Sequence, residues 1–200
     1  NADLAGRPQL IRGNSQLLYE GMGRLSENSV LVIKNKSHAV TAQIDVPEGG
    51  AEGVIVAQGG AYAGWSLYLH EGRPAYCYNF FGLGRFKIYG QQPVPAGEHQ
   101  IRIEFAYDGG GLAKGGDVSL YYDGNKVGEG RVETTQPFVF SADEGLDIGG
   151  ETGTTVAPEY DVQSSDFTGE INWVQLKVSG DDHMHMVDPE QLIHVLMARQ

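Results

Sequence analysis

Residues 105–132, FAYDGGGLAKGGDVSLYYDGNKVGEGRV, decide the fold, because they combine a glycine-rich loop with a β-hairpin. From residue 117 to residue 122 apolar and polar side chains alternate, and this period of two is typical of a half-buried strand. Asp123 and Gly124 then supply the left-handed backbone that a two-residue type I′ turn requires. The chain returns as the partner strand, in which Gly128 and Gly130 have no side chain to pack. That strand is therefore predicted to be bulged or closely approached by other backbone.

The same pattern recurs along the chain, which carries 29 glycines and 8 prolines between short apolar runs. A second hairpin is predicted where residues 64–70 alternate, turn at 71–73 and return through 75–80. Further strands are predicted at 29–35, 38–46, 53–58, 85–89, 101–105, 138–140, 146–149 and 167–178. The last of these changes phase between Ile171 and Val174, which predicts a β-bulge near Asn172 or Trp173. These elements predict an all-β fold, an antiparallel β-sandwich of the jelly-roll type.

The two ends of the chain differ from this repeating pattern. Residues 1–28 have scattered apolar residues without a sustained period, so we interpret them as an arm. Residues 29–200 are predicted to form the sandwich domain, which ends in one short helix at 189–199. Asp188 as N-cap, Pro189 at the first helical position and Gln191 near the capping-box position indicate its start. Five apolar residues are expected to pack on the sandwich, on a partner domain or on a second copy: Leu17, Leu18, Met22, Leu192 and Leu196.

The composition excludes several classes of partner. A net charge of −12 without a Lys/Arg cluster disfavours binding to nucleic acid and to anionic membranes. No window approaches the roughly 20 consecutive apolar residues of a membrane-spanning helix. Cys77 is the single cysteine, so neither a disulfide framework nor a cysteine-rich metal site is expected. Its alternation with tyrosines indicates a small buried hydrophobic side chain.

Two groups of residues have the composition of metal ligands. The group before the predicted helix consists of Asp181, Asp182, His183 and His185. Imidazoles two residues apart on a strand point the same way, which favours a shared ion, whereas an exposed polar linker is the alternative. The group in the long loop after residue 140 consists of Asp143 and Asp147 with Glu144 and Glu151. Its carboxylates are the ligands that calcium prefers, although no EF-hand spacing is present.

Aromatic residues of the second hairpin offer a candidate carbohydrate-binding face. Tyr68, Tyr76 and Tyr78 lie on two strands that are predicted to pair, and aromatic rings stack on sugar rings. The alternative is that they pack across the strands or in the core. Tyr68 has the opposite phase to Trp65, so we expect Trp65 to be buried and the tyrosines to be divided between the two faces.

Four stretches together resemble the C-terminal region of bacterial arylsulfatases. They are residues 105–132, quoted above, residues 63–83 (AGWSLYLHEGRPAYCYNFFGL), residues 167–178 (FTGEINWVQLKV) and residues 21–30 (GMGRLSENSV). The resemblance covers nearly the whole chain and implies a concanavalin A-like or laminin-G-like jelly roll behind a sulfatase catalytic domain. It also implies that residues 1–28 are the junction with that catalytic domain, which would be the partner of this chain.

The resemblance does not extend to the catalytic motif of sulfatases. The family's formylglycine motif, Cys/Ser-x-Pro-x-Arg, is absent, because Cys77 is followed by Tyr78 and Asn79. No catalytic residue and no cofactor is therefore expected in this chain, and the family's calcium would belong to the catalytic domain. The leading interpretation is a non-catalytic accessory domain of an arylsulfatase-like sulfuric ester hydrolase. An independent carbohydrate-binding module and a jelly-roll glycoside hydrolase are the alternatives, and a bacterial origin leaves a cytoplasmic and a periplasmic location open.

Overall fold

The structure, a computed structural model, describes residues 10–178, 185–188 and 192. These residues form an antiparallel sandwich of two sheets, with a single 3-10 turn at Glu27–Ser29. The strands are β1 (Ser15–Leu18), β2 (His38–Val46), β3 (Gly53–Gly59), β4 (Gly64–His70), β5 (Arg73–Phe80), β6 (Gly84–Tyr89), β7 (Gly97–Tyr107), β8 (Gly116–Tyr122), β9 (Asn125–Val132), β10 (Leu146–Ile148) and β11 (Glu170–Val178). The predicted all-β sandwich is confirmed.

The two sheets pack face to face, as in a jelly roll. The six-stranded sheet has the order β1-β11-β2-β7-β8-β9, and the five-stranded sheet has the order β10-β3-β4-β5-β6. The main core lies between them, because alternate residues of each strand, such as Ile44, Ile103 and Leu67, point inward and are fully buried. Along one side of the sandwich, β6 of one sheet lies against β9 of the other.

Both predicted hairpins are confirmed, although the second turns at residues 71–72 and not at 71–73 as predicted. β8 and β9 pair through Asp123 (φ 46°) and Gly124 (φ 77°), so both turn residues have the left-handed backbone of a type I′ turn. β4 and β5 pair in the same way through Glu71 (φ 51°) and Gly72 (φ 70°).

The glycines of β9 mark a bulge and a close approach, as predicted. The pairing of β8 with β9 shifts between Leu120 and Tyr121, which is the expected bulge. A Cβ on Gly128 would lie 2.6 Å from the Tyr89 carbonyl oxygen, and one on Gly130 would lie 2.6 Å from the Ile88 side chain. Glycine at these two positions therefore lets the edges of the two sheets meet.

The bulge predicted in the last strand is also present. β11 pairs with β2, and the register shifts between Ile171 and Trp173, which leaves Asn172 as the extra residue. The shift returns Val174 and Leu176 to the core face, so that the strand keeps its apolar residues inside on both sides of the bulge.

Two predicted strands are absent, and in both cases the backbone bonds to side chains instead of to a neighbouring strand. In residues 29–35 the Leu31 amide donates to Gln16 Oε1 (2.7 Å), although Leu31 itself is buried in the core. In residues 138–140 the Phe138 amide donates to Gln136 Oε1 (3.0 Å) and the Phe140 amide to Glu27 Oε1 (3.3 Å). The apolar run at 29–35 is largely buried without pairing in a sheet, whereas at 138–140 only Phe140 is buried and Phe138 and Val139 are exposed.

The N-terminal arm contributes a strand to the sandwich. β1 pairs with β11, and Leu18 is buried, whereas Met22 stays 38% exposed. The helix predicted at 189–199 lies outside the described residues, apart from Leu192. Leu192 is buried, and its amide donates to the Asp188 carbonyl oxygen at 3.2 Å. No helix in the described part of the chain is long and apolar enough to cross a membrane.

Candidate functional site

The aromatic residues of the second hairpin are packed inside the protein. Trp65, Tyr76 and Tyr78 point into the main core, whereas Tyr68 points to the outer face of the five-stranded sheet. Tyr68, Tyr76 and Tyr78 are 0%, 1% and 5% exposed, so a sugar could not stack on their rings without displacing neighbouring residues. Burial of Trp65 and division of the tyrosines between two faces agree with the alternation of the sequence. These three tyrosines therefore follow the packing alternative.

The outer face of the five-stranded sheet is covered by the loop of residues 151–166. Val156 and Ala157 form a second, small core with Tyr68 and Cys77, and the Tyr160 ring meets the Tyr68 ring edge to face at 5.2 Å between centroids. Burial in this small core raises the pKa of the Cys77 thiol to about 12. Cys77 is thus a buried thiol, as the sequence predicts, and it is protonated at neutral pH.

Polar groups lie beneath the same loop. Glu159 accepts hydrogen bonds from Lys87 Nζ (2.8 Å) and from the Tyr89 hydroxyl, and the Tyr160 hydroxyl donates to Ser66 Oγ (2.7 Å). Tyr68 Oη and Glu159 Oε2 are buried without a hydrogen-bond partner. The loop is therefore attached to the sheet by polar contacts around a small apolar centre.

The carboxylates predicted for calcium hold the backbone of this loop. Asp147 Oδ1 accepts a hydrogen bond from the Arg24 amide (2.6 Å), and Oδ2 accepts one from the Thr152 amide (3.0 Å). Glu144 Oε1 accepts from the Thr154 amide (2.6 Å), and Glu151 accepts from the Val156 amide at 3.1 Å, whereas Asp143 is exposed. Across residues 10–178, 185–188 and 192, no group of three or more His, Cys, Asp or Glu residues is arranged to hold a metal ion.

Of the second predicted metal group, only His185 belongs to the described residues. Asp181, Asp182 and His183 lie outside them. His185 Nδ1 lies 2.8 Å from Glu104 Oε1, and its ring stacks on the Tyr121 ring at 4.4 Å between centroids. His185 thus contacts the outer face of the six-stranded sheet.

A groove of about 850 Å³ opens at the side of the sandwich where β6 meets β9. The segment after β6 forms one wall, with Gln91, Gln92, Pro93 and Pro95, and the β8–β9 hairpin forms the other, with Tyr122, Lys126 and Glu129. Gly72 and Gly90 hold the first wall in place, because the Val94 amide donates to the Gly72 carbonyl oxygen (2.9 Å) and the Gly90 amide to that of Pro74 (2.7 Å).

Two tyrosines and several polar residues line the groove. Tyr89, which is 38% exposed, is held by its bond to Glu159, and the Tyr122 ring lies 5.1 Å from the His99 ring. Lys126 and Glu129 pair with each other at 2.7 Å, so together they add no net charge. The exposed amides of Gln91 and Gln92 can both donate and accept hydrogen bonds. Such a site suits an uncharged ligand with many hydroxyl groups.

Sequence reasoning missed this groove, although it identified its parts. The prolines of QQPVPAGEHQ (residues 91–100) exclude a helix and indicate a loop, and the alternating pattern places Tyr89 and Tyr122 in strands. A signal for the groove was present in the sequence: Gln91 and Gln92 are neighbouring polar residues, and the two prolines that follow restrict the backbone beside them. Only the close approach of β6 to β9 at Gly128 shows that the loop and the hairpin share a groove.

No protein-family model and no curated protein sequence matches this chain. Solved structures with a similar fold do match. The carbohydrate-binding CBM40 domain of a Ruminococcus gnavus sialidase, solved with α2,3-sialyllactose, is 14% identical with a TM-score of 0.55, and the match covers 88% of this chain and 97% of that domain. NanB sialidase from Streptococcus pneumoniae is 12% identical with a TM-score of 0.57, over 88% of this chain and 27% of that one. The LG1-3 region of the laminin α2 chain is 16% identical with a TM-score of 0.50, over 82% of this chain and 30% of that one.

These similarities establish the fold. The chain is a two-sheet sandwich of the jelly-roll, concanavalin-like type that CBM40 and laminin-G domains share. At 12% to 16% identity they say nothing about which ligand this chain binds.

Proposed function

We propose that this chain is a binding domain that takes an uncharged carbohydrate in the groove between β6 and β9. The observation that supports the proposal is the groove itself: about 850 Å³, bounded by Tyr89 and Tyr122 and by the free amides of Gln91 and Gln92. Saccharides present both apolar ring faces and hydroxyl groups, so a site that recognises them combines aromatic rings with amide groups. The match to the CBM40 fold is consistent with this function.

The charge of the groove favours plain over sulfated or sialylated sugars. Lys126 is already paired with Glu129, and the chain carries a net charge of −12. An anionic sugar would therefore have no unpaired cation among the groove residues and would be repelled by the whole molecule. We expect neutral oligosaccharides to bind with a millimolar or tighter dissociation constant and their sulfated forms to bind more weakly.

Isothermal titration with a panel of plain, sulfated and sialylated oligosaccharides tests the proposal. Tyr89→Ala and the double variant Gln91→Ala/Gln92→Ala should each weaken binding about tenfold, because a ring contact or a pair of hydrogen bonds contributes about 1.4 kcal/mol. Tyr62→Ala and Gln163→Ala are matched controls, since Tyr62 is 62% exposed outside the groove and Gln163 is exposed on the 151–166 loop. Binding that is absent, or unaffected by the groove variants, would refute the assignment.

The sequence resemblance supports a second proposal, in which this chain is the accessory domain of an arylsulfatase-like sulfuric ester hydrolase. Residues 63–83, 105–132 and 167–178 carry that resemblance. The partner would be the catalytic domain of the same polypeptide, and calcium would be bound there. The test is to determine the coding sequence upstream of Asn1. A reading frame with the Cys/Ser-x-Pro-x-Arg motif supports the proposal, and a frame without it overturns the proposal.

A further inference from the structure

The outer face of the six-stranded sheet carries buried polar side chains. Thr41 on β2, Gln100 and Arg102 on β7 and Tyr121 on β8 all point away from the main core, and Thr41, Arg102 and Tyr121 lie side by side in the register of the sheet. Their exposed fractions are nevertheless 1%, 4%, 3% and 7%. Polar residues on the outer face of a sheet are usually solvated, so a covering segment must be present.

Residues 185–188 contribute to this cover, and they are held by polar contacts. Gln100 Nε2 donates to the Val187 carbonyl oxygen (2.8 Å), and the Val187 amide donates to Gln100 Oε1 (2.9 Å). One side-chain amide thus satisfies the donor and the acceptor of one residue, as a neighbouring strand would do. Two residues earlier, the His185 ring stacks on Tyr121 and lies 2.8 Å from Glu104. His185 lies beside Glu104, and Val187 lies beside Gln100, which comes earlier in β7. The segment therefore runs antiparallel to β7.

These contacts distinguish a recognition site from ordinary core packing. The bonds of Gln100 go to backbone atoms, which any peptide has, whereas Tyr121 and Glu104 together favour a flat ring that can donate a hydrogen bond. His185 also has a left-handed backbone (φ 51°), which is unfavourable for a residue with a side chain. The segment is therefore bound through these polar contacts and through burial of the Val187 and Leu192 side chains, whereas the strained backbone of His185 favours its release.

We propose that this face is a peptide-binding site and that residues 185–187 are its built-in ligand. Its ligand class is a short peptide that carries histidine, with a left-handed backbone, two residues before the peptide unit bound by Gln100. Arg102 lies between the two recognition points and holds the face in shape through bonds to Glu104 Oε1 (2.9 Å) and Thr41 Oγ1 (3.0 Å). When the segment is in place the site is closed, and when it leaves the same side chains accept another peptide.

The test uses the full chain with the built-in segment released. His185→Ala with Val187→Pro removes the stacked ring and the amide donor, while the eleven strands are left unchanged. The probe is a fluorescent peptide with the sequence of residues 181–192, DDHMHMVDPEQL, and its binding is followed by fluorescence anisotropy. We expect the released variant to bind the probe at least about tenfold more tightly than the unaltered chain, since two hydrogen bonds and a ring stack must be replaced. The same peptide with the Ala and Pro substitutions should not bind.

Variants of the face identify the binding residues. Gln100→Ala or Tyr121→Ala in the released variant should abolish probe binding, whereas Gln163→Ala should not, because Gln163 is exposed on the loop that covers the other sheet. Hydrogen exchange on the unaltered chain gives an independent reading. The Val187 amide should be protected and should lose its protection in Gln100→Ala. An unprotected Val187 amide, or a folded released variant that binds the probe no better than the unaltered chain, overturns the proposal.

Discussion

Glu151 is predicted to make the free energy of unfolding depend on pH in a direction unusual for a carboxylate. Glu151 is the first residue of the 151–166 loop, and its side chain is 4% exposed. Burial raises its pKa from 4.5 to about 7, although the Val156 amide donates a hydrogen bond to it. Between these two pH values the folded protein holds the proton and the unfolded chain releases it. Stability from this group is therefore complete below pH 4.5 and is lost as the pH rises through about 7. A shift of this size corresponds to about 3 kcal/mol.

His38 acts in the opposite direction over nearly the same range. Its ring stacks on Phe105 at 5.0 Å between centroids, and burial lowers its pKa from 6.5 to about 4. The folded protein keeps this imidazole neutral while the unfolded chain takes up a proton, so stability from His38 is present above pH 6.5 and is lost as the pH falls through about 4. Because the residue is partly exposed, about 3 kcal/mol is an upper bound. The two effects nearly cancel between pH 4.5 and pH 6.5.

The variant Glu151→Gln separates the two effects, because glutamine keeps the volume and an acceptor for the Val156 amide but does not titrate. Relative to the unaltered protein, we expect Glu151→Gln to be neutral at pH 4 and to be stabilised by up to about 3 kcal/mol at pH 8. Urea unfolding at pH 4, 5, 6, 7 and 8, followed by tryptophan fluorescence, measures this difference. The difference between the unfolding free energies of the two proteins cancels the general charge repulsion that both acidic chains have at high pH. A difference that is the same at pH 4 and pH 8 would refute the assigned titration of Glu151.

Three further predictions follow from packing and chemistry. Gly128→Ala should destabilise the fold by about 1 to 3 kcal/mol in urea unfolding, because its Cβ would lie 2.6 Å from the Tyr89 carbonyl oxygen, whereas Gly49→Ala, with open space around it, should change stability little. Cys77 should react with a thiol reagent only after denaturation, since its buried thiol has a pKa of about 12; rapid labelling of the folded protein would contradict its burial. The isolated chain should not hydrolyse a chromogenic aryl sulfate, because it lacks the formylglycine motif; turnover that co-purifies with the chain through several columns would contradict this.

The sequence predicts local geometry in this protein better than long-range pairing. The type I′ turn at Asp123 and Gly124 and the bulge at Asn172 follow from backbone preferences and from side-chain phase, and both are present. The strand predicted at residues 29–35 fails because an apolar run predicts burial, whereas pairing depends on whether a neighbouring strand has free backbone groups. There the Leu31 amide finds the side chain of Gln16 instead, and this partner lies 15 residues away along the chain.

The functional surfaces were hard to predict for a related reason, namely that this sandwich covers its own outer faces. Alternation assigns Tyr68 to the outer face of one sheet and Tyr121 to that of the other, and it does so correctly. Whether an outer face meets solvent depends on segments distant in sequence: Tyr160 lies over Tyr68, and His185 lies over Tyr121. Among the described residues the groove between β6 and β9 stays open, because the sheet edges meet there through glycine and the flanking loops lie apart. In the described part of the chain the groove is therefore a surface at which a ligand can bind without moving a segment, whereas a ligand of the six-stranded sheet must first displace residues 185–187.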